Sequence, residues 1–530
     1  MNFKLAIDMK KILTFFLSVT LATSLLAQTA DDAISLAQQY REGTARTMAL
    51  GNAFTALGGD LGAIGINPAS SGVMGYSQVT LTPSLIIGRS TANYLSNNIS
   101  SRNTGLSISN FGAVLSFDTG RYNGLINYNF GFVYNKTNNF RAITKAAGTT
   151  ANTSMLSAIA ASVEGYPWQS LDLEKSSNPY EMTDAPWPGI LAWNTYVLAP
   201  LSYLGGKYAG VDDSFMASTE NYDALRDELV IGGPLDQYYI RKMRGSNQEF
   251  AFNFGMNFSD RIYVGANLNF YAVNQITEEY YEEKAQNAAM FDDGFVSMDN
   301  SYWLRTSGSG FSAKVGIIAL PVAGLRLGAT ITTPTWYSLR DQWDYTMNTA
   351  FNNGNKYTKY SPTGVWEYRL RAPMRWSVGA AYTFWDRGLI SIDYEGVNYA
   401  QTRLRESSRN SYSYNKDLFS SENSDLAGNF QMAGILRIGA EVRVTNFLSL
   451  RGGFQDYTPA AKGGAHRMAY SAGIGFNIGP MFSIDLAWMR LGKQREEFQL
   501  YDNYSSAVSV PTGLNTQTQS KAVCTFSFKF

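Results

Sequence analysis

The chain has 530 residues, with 43 basic and 43 acidic side chains, so its formal charge is zero and only 16% of residues are charged. A balanced chain without a Lys/Arg block lacks the basic face that a nucleic-acid partner needs. A single cysteine, Cys524, and a single histidine, His466, exclude a disulfide framework, a CxxC metal site and any multi-histidine centre, so neither a metal nor another cofactor is expected.

In chain order, Met9-Lys10-Lys11 is a basic start, Ile12 to Leu26 is apolar apart from Thr and Ser, and the small Ala27 precedes Gln28. This predicts a secretory signal peptide over 1–27, cleaved after Ala27. The run is short for a membrane span, which needs about 20 residues. No later run is long and apolar enough for a transmembrane helix, so the mature chain is either exported and soluble or crosses a membrane with strands.

Residues 28–76 lack clean alternation. Gly43-Thr44-Ala45-Arg46, the run from Ala49 to Asp60, and Ile66-Asn67-Pro68-Ala69 are dense in small residues, which suits short helices in a confined space. Pro68 stops a helix and biases Asn67 away from the α region.

From residue 77 the period is 2. Phe250, Phe252, Phe254, Met256 and Phe258 alternate with Ala251, Asn253, Gly255 and Asn257, and Leu436 to Val444 repeats the pattern. Successive strand side chains point to opposite faces, so one face is apolar and the other carries Gly, Asn and Ser. Strands are predicted at 77–88, 104–118, 121–137, 246–258, 261–280, 302–320, 324–340, 364–385, 388–406, 430–445, 447–457, 466–479, 482–498 and 518–530. Many exceed the 5–6 residues typical of soluble strands. Fourteen is even, as bacterial single-chain barrels require. Tight turns at Thr119-Gly120, Ser259-Asp260, Pro321 to Ala323, Asp386-Arg387, Thr445-Asn446 and Gly479-Pro480 all follow even-numbered strands, and long loops follow odd-numbered ones. The prediction is an all-β membrane protein: a 14-stranded antiparallel transmembrane β-barrel over 77–530, preceded by short helices over 28–76 in a confined space. It would lie in the outer membrane of a Gram-negative cell, among outer-membrane lipids, with short turns and both termini periplasmic.

Residues 139–245 follow the third strand and form a large, partly helical extracellular loop in this reading. Met155, Leu156, Ile159, Ala160 and Val163 have helical spacing, and Tyr222 to Leu229 is read as a second helix. A structured loop of this length is commonly functional. It either presents an apolar groove that captures ligand or only seals the barrel mouth.

The pattern Gly-x-Ala-Arg, then Ala-Leu-Gly-Gly-Asp, then Asn-Pro-Ala before the first strand resembles the N-terminal hatch of the FadL/TodX family of outer-membrane transporters of hydrophobic compounds. Gly308-Ser309-Gly310-Phe311 and Leu325-Arg326-Leu327-Gly328-Ala329, leading to Thr332-Thr333-Pro334-Thr335, are similar to that family, and so is the strand count. The resemblance implies passive uptake of hydrophobic small molecules, with long-chain fatty acids as the typical substrate. It implies that residues 28–76 are an N-terminal helical hatch plugging the barrel lumen, and it places Asp60, Asn67, Pro68 and Ala69 in the hatch motif, shaping or gating the plug. It also implies a wall kink in the third strand, for which Gly131 is the candidate, and a lateral exit. The terminal run from Cys524 to Phe530 resembles the signal read by the barrel-assembly machinery. The 139–245 loop departs from the family, whose capture groove comes from other loops.

Alternation puts Lys314, Arg326, Asp393, Glu395, Arg437, Glu441 and Arg443 on the lumen side. Lys314, Arg326 or Arg437 could receive a ligand carboxylate through a charge-assisted hydrogen bond, or could form pairs that hold the hatch. No catalytic residue is expected. A barrel hydrolase would need His466 beside a Ser or Asp at the rim. A FadL-like accessory barrel of a secretion or surface-assembly machine, without transport, is the other alternative.

Overall fold

The structure is a computed structural model that describes residues 29–176, 178–201, 214–226, 228–385, 387–407, 417–505 and 508–530; the signal-peptide segment lies outside them. Among the described residues no helix is long and apolar enough to cross a membrane.

The alternating segments form one closed antiparallel barrel of fourteen staves. The first two are β1 (Gln78–Tyr94) and β2 (Asn97–Asp118), and the third is β3 (Leu125–Asn139) continued by β4 (Ala142–Thr150). Leu235–Phe258, Ile262–Ala285 and Phe295–Val322 follow. Leu325–Thr332 runs on as Thr335–Phe351, Gly364–Ala372 as Arg375–Phe384, and Gly388–Asn398 as Arg403–Glu406. Met432–Arg443, Leu448–Tyr457, Arg467–Asn477, Phe482–Gln499 and Thr512–Lys529 complete the set. The last stave pairs with β1 from Gln78↔Lys529 to Asn93↔Leu514, which closes the wall.

The burial pattern is inverted relative to a soluble sheet. Phe252, Leu268, Val378, Ile390, Ile438 and Leu486 are exposed, whereas Asn253, Asn267, Ser391 and Ser449 are buried. Apolar side chains face outward as a belt and polar ones fill the lumen, which is the arrangement a bilayer imposes on a barrel.

Several boundaries differ from the sequence expectation. β1 and β2 meet in a two-residue turn at Leu95-Ser96, with φ of 46° and 66°, where a long loop was expected. That left-handed turn matches the twist of the flanking strands. Outward positions beyond Ile87 are polar because the wall continues past the apolar belt, so composition loses its strand signal while pairing persists. For the same reason β4 and the start of Leu235–Phe258 are strand, paired from Ala142↔Met243 to Thr150↔Leu235, and the loop spans only 151–234. Within it, Met155–Ser162 is helical as expected. Tyr222 to Leu229 is instead a hairpin of Glu220–Asp223 with Glu228–Ile231. There Asp223 Oδ1 accepts the amides of Leu225 (2.9 Å) and Arg226 (3.3 Å), a local bond that competes with helix.

The 29–76 segment lies inside the barrel. Its helices Ala45–Ala49 and Leu61–Ile64 and the 3₁₀ turn Pro68–Val73 are buried. Its end meets the C-terminus, since Ser77 and Phe530 exchange backbone hydrogen bonds of 3.0 and 3.2 Å. Its beginning lies at the opposite, long-loop end. There helix Ala30–Ala37 joins an apolar cluster with Tyr271, Tyr337, Tyr368 and Phe430, against helix Ser420–Asn429.

Candidate functional site: hatch, wall seam and lumen cavity

The hatch motif is a set of local caps. Asp60 N-caps Leu61–Ile64: its Oδ1 accepts the Gly62 amide at 2.8 Å and the Thr44 hydroxyl at 2.7 Å. Burial pushes its carboxyl above the ordinary value, against Arg46, Thr44 and Gly62, which pull it down. Asn67 caps the Pro68–Val73 turn. Its Oδ1 accepts the Ala69 amide at 3.0 Å, and its Nδ2 donates to Thr55 O at 2.6 Å and to wall carbonyl Ile317 O at 3.2 Å. Pro68 fits as the first residue of that turn, where its missing N–H costs nothing.

The wall yields where the hatch touches it. A Cβ on Gly316 would collide with Asn67 Oδ1, and one on Gly265 would collide with the Pro68 backbone. These inward glycines are the sites of close backbone approach that a strand glycine often marks.

Charged pairs tie hatch to wall. Arg41 forms a two-pronged pair with Glu249, at 2.9 and 3.0 Å. Glu42 accepts from Lys521 at 2.6 Å and from Ser109 at 2.7 Å. Burial opposes the Glu42 charge, yet Lys521 and Lys136 hold its carboxyl below the ordinary value. Arg46 reaches Glu441 at 2.9 Å, and the Thr55 amide donates to Asp393 at 2.7 Å. Four of these charged residues, Arg41, Glu42, Glu249 and Lys521, were not singled out from the sequence. The parity that puts Ala251 and Asn253 inward also puts Glu249 inward, so that signal was available.

Of the three cations expected to meet a ligand, Lys314 and Arg437 are buried and Arg326 is half-buried, each against hatch or wall groups. Lys314 donates to Gly65 O of the hatch, and Arg326 donates to Leu57 O at 2.5 Å. Arg437 pairs with Glu395 at 2.7 Å, beside Arg375, which takes the other Glu395 oxygen at 2.9 Å and also holds Ala37 O at 2.7 Å. Arg437 Nε and Nη1 are buried without a hydrogen-bond partner. His466 contacts Asp456 at 3.0 Å, and among the described residues no serine hydroxyl bonds to it.

The wall parts between the second and third staves. β2 pairs β3 only from Asn110↔Asn135 to Asp118↔Asn127. Gly131 lies within that regular ladder, opposite Val114 and Asn253; the register of β3 breaks instead at its start, Leu125/Asn127, and at Lys136/Asn138 beside the seam. Beyond Asn135 the hatch takes over part of β2's role. The amides of Tyr40 and Glu42 donate to Thr137 O and Lys136 O, both at 2.8 Å. Asn138 Nδ2 reaches Ser35 O at 3.1 Å and Gln38 O at 3.3 Å. The facing edge of β2, 97–109, is joined to β3–β4 by side chains. Arg141 Nη1 donates to Asn103 Oδ1 at 3.2 Å and Thr104 O at 3.4 Å, Asn97 Nδ2 to Ala147 O at 3.1 Å, and Lys136 to Ser107 Oγ. Gly105 makes room for the Arg141 guanidinium. A lumen cavity of about 970 Å³ borders this seam; Asp31, Tyr40, Asn103, Arg141, Tyr239 and Lys521 are among its lining.

The described residues of the 151–234 loop pack over the mouth. Leu156, Ile159, Leu171, Ile190 and Leu191 are buried against Tyr94, Tyr281, Phe295, Met347 and Tyr501 of the wall and its loops. Trp168 stacks on Trp193 at 5.4 Å, and Trp187 meets Trp343 at 5.4 Å.

Neither protein-family models nor the curated proteins yield a match to this chain. Solved structures do. The crystal structure of a Pseudomonas aeruginosa FadL homologue aligns over 93% of this chain and 99% of its own, with 11% identity and a TM-score of 0.54. The Pseudomonas putida toluene transporter TodX aligns over 93% and 99%, with 13% identity and a TM-score of 0.49. The Ralstonia pickettii toluene transporter TbuX aligns over 92% and 99%, with 14% identity and a TM-score of 0.46. The first of these shows that the chain has the plugged fourteen-stranded fold of a FadL homologue.

Proposed function

We propose that the protein is an outer-membrane channel for passive uptake of hydrophobic small molecules, with long-chain fatty acids as the preferred cargo. Cargo enters past the extracellular loops, occupies the lumen cavity beside the hatch, and leaves sideways between β2 and β3–β4. The observation that carries this reading is the seam. The cavity borders a stretch of wall held by side chains alone, and those cost far less to part than a backbone ladder. The hatch bonds to β3 at the same place, so a shift of Tyr40 to Glu42 would alter the seam directly. Of the three lumen cations, Arg437 is the one with donors left for a carboxylate, its Nε and Nη1 being buried without a partner. Lys314 and Arg326 serve the hatch. The hatch motif residues Asp60, Asn67, Pro68 and Ala69 shape the plug, and the C-terminal strand ending in Phe530 addresses the barrel-assembly machinery, with short turns periplasmic.

The test is oleate uptake by cells producing the protein, with surface levels measured in parallel. Gly105→Leu, which fills the seam, should abolish uptake, and Arg437→Ala should reduce it about tenfold, as expected for loss of a charge-assisted bond. Lys314→Ala tests the hatch role and should leave leakier barrels. Unchanged uptake in Gly105→Leu rejects the lateral route. The apolar packing of the described 151–234 residues over the mouth supports a second reading, an accessory barrel without transport. Purified protein that brings no hydrophobe but a stoichiometric protein partner would favour that one.

A further inference from the structure

We propose that the outer face of the seam is a binding site for the phosphate head of an anionic bilayer lipid, held by Arg89 and Arg102 with Arg141 behind them. Arg89 and Arg102 are exposed and stand directly opposite each other on β1 and β2. Like charges at directly opposed positions destabilise a sheet pair unless an anion is shared between them. Among the described residues no carboxylate lies within ion-pair range of Arg89, Arg102 or Arg141. The sequence supplies almost none nearby. β1, β2, β3–β4 and the closing stave Thr512–Lys529 together hold one carboxylate, Asp118, at the turn end of the barrel. The other cations facing this region are Lys136, Lys145 and Lys521, and Lys521 is paired with Glu42.

The height of the site fits a lipid head. Along the outer face, Pro83, Leu85 and Ile87 of β1 stand opposite Ile108, Leu106 and Thr104, and the next pair is Arg89 opposite Arg102. The face therefore turns from apolar to cationic in one step, where acyl chain gives way to head group. Leu106 is 84% exposed and offers the chain a surface beside the open edge. That edge also offers donors. Thr104 turns its carbonyl to the seam, and an antiparallel residue turns its N–H to the same side. An anionic oxygen there would meet two guanidinium groups and a row of strand amides, a charge-assisted arrangement. A lipid so placed covers the seam from the membrane side. Its presence does not depend on the uptake reading, because binding is separable from transport.

The test uses the full chain purified in a neutral detergent, with retained lipid counted by native mass spectrometry after incubation with phosphatidylglycerol or phosphatidylcholine. The wild type should retain phosphatidylglycerol at least tenfold over phosphatidylcholine. Arg102→Glu should bring that ratio below twofold while raising or preserving the thermal unfolding temperature, since it turns the like-charge pair into an opposite-charge one. Arg121→Gln, at the turn end, should leave the ratio unchanged. Equal retention of the two lipids by the wild type overturns the proposal, and so does an unchanged ratio in folded Arg102→Glu. Displacement of the lipid by 10 mM inorganic phosphate, but not by equal ionic strength of chloride, also overturns it, because the site would then read a free anion. Loss of oleate uptake with retention unaltered bears on the transport reading alone.

Discussion

The Tyr40 amide donates to the Thr137 carbonyl at 2.8 Å, so the plug supplies a backbone partner that the neighbouring stave would otherwise give β3. Plug and wall thus share one hydrogen-bonding system at the seam. Tyr40→Pro removes the donor and should loosen the plug there. Tyr40→Phe keeps the donor and should behave as wild type. In hydrogen–deuterium exchange the wild type should show fast amides at Thr104 and Leu106 and protected ones over the paired stretch Phe111 to Phe117. Tyr40→Pro should extend the fast region into Lys136 to Asn138. If exchange at β3 is the same in both variants, the coupling is absent.

Gly316 and Asn67 compete for one space, and the plug holds it because the wall gives up a side chain. Gly316→Val should force the Pro68 turn off the wall and raise single-channel conductance in planar bilayers. Asn67→Ala leaves the Thr55 carbonyl unpaired at a buried site, a loss of about 1–3 kcal/mol. It should give intermittent openings of smaller frequency. A Gly316→Val channel as closed as wild type would show that the plug does not depend on this contact.

The alternation was enough to read the barrel, because a bilayer demands an apolar outer face at every stave that crosses it. Strand count, the short turns after even-numbered strands and the lumen placement of Lys314, Arg326 and Arg437 follow from that demand, whereas the long loop expected after the first strand is a two-residue turn. The demand ends where the wall leaves the belt. Residues 89–94, 97–103 and 142–150 remain strand on backbone pairing alone, so their composition resembles loop. The seam was equally hidden. Gly131 looked like the place for an opening, but the register breaks at Lys136/Asn138, where bonds to the plug decide the path. No one-dimensional pattern carries a contact between residue 40 and residue 137. The motif Asn67-Pro68-Ala69 was legible as a plug element only by resemblance, and its bonds to Thr55 and Ile317 needed coordinates.

Arg41 and Glu249 form a buried two-pronged pair between plug and wall. Removing one partner strands the other charge in the lumen, which costs about 3–5 kcal/mol. Glu249→Gln should therefore lower the urea midpoint of plug unfolding and leave the barrel itself folded, as judged by heat-modifiable migration on gels. Replacing both, as Arg41→Met with Glu249→Leu, should recover most of the loss, because an apolar pair of similar volume avoids the desolvation cost. A double variant no more stable than Glu249→Gln would mean that the pair contributes net attraction.

Leu191, fully buried on helix Trp187–Asn194, joins the cluster that fixes the 151–234 loop over the mouth. Truncation to Ala leaves a cavity and costs about 2–5 kcal/mol at a site of this kind. That cost falls on the cap, since the barrel staves keep their ladders. Limited proteolysis of intact cells should then cut within 151–234 in Leu191→Ala at a protease dose that spares the wild type. Oleate uptake separates the two roles of the cap. A cap that captures cargo on an ordered surface loses uptake when loosened, whereas a cap that only seals the mouth lets uptake rise. Leu156, Ile159 and Leu191 are buried in one shared cluster, so these side chains present no apolar surface for capture. The expected outcome is faster cleavage with uptake raised, and reduced uptake at equal surface level would restore the capture role.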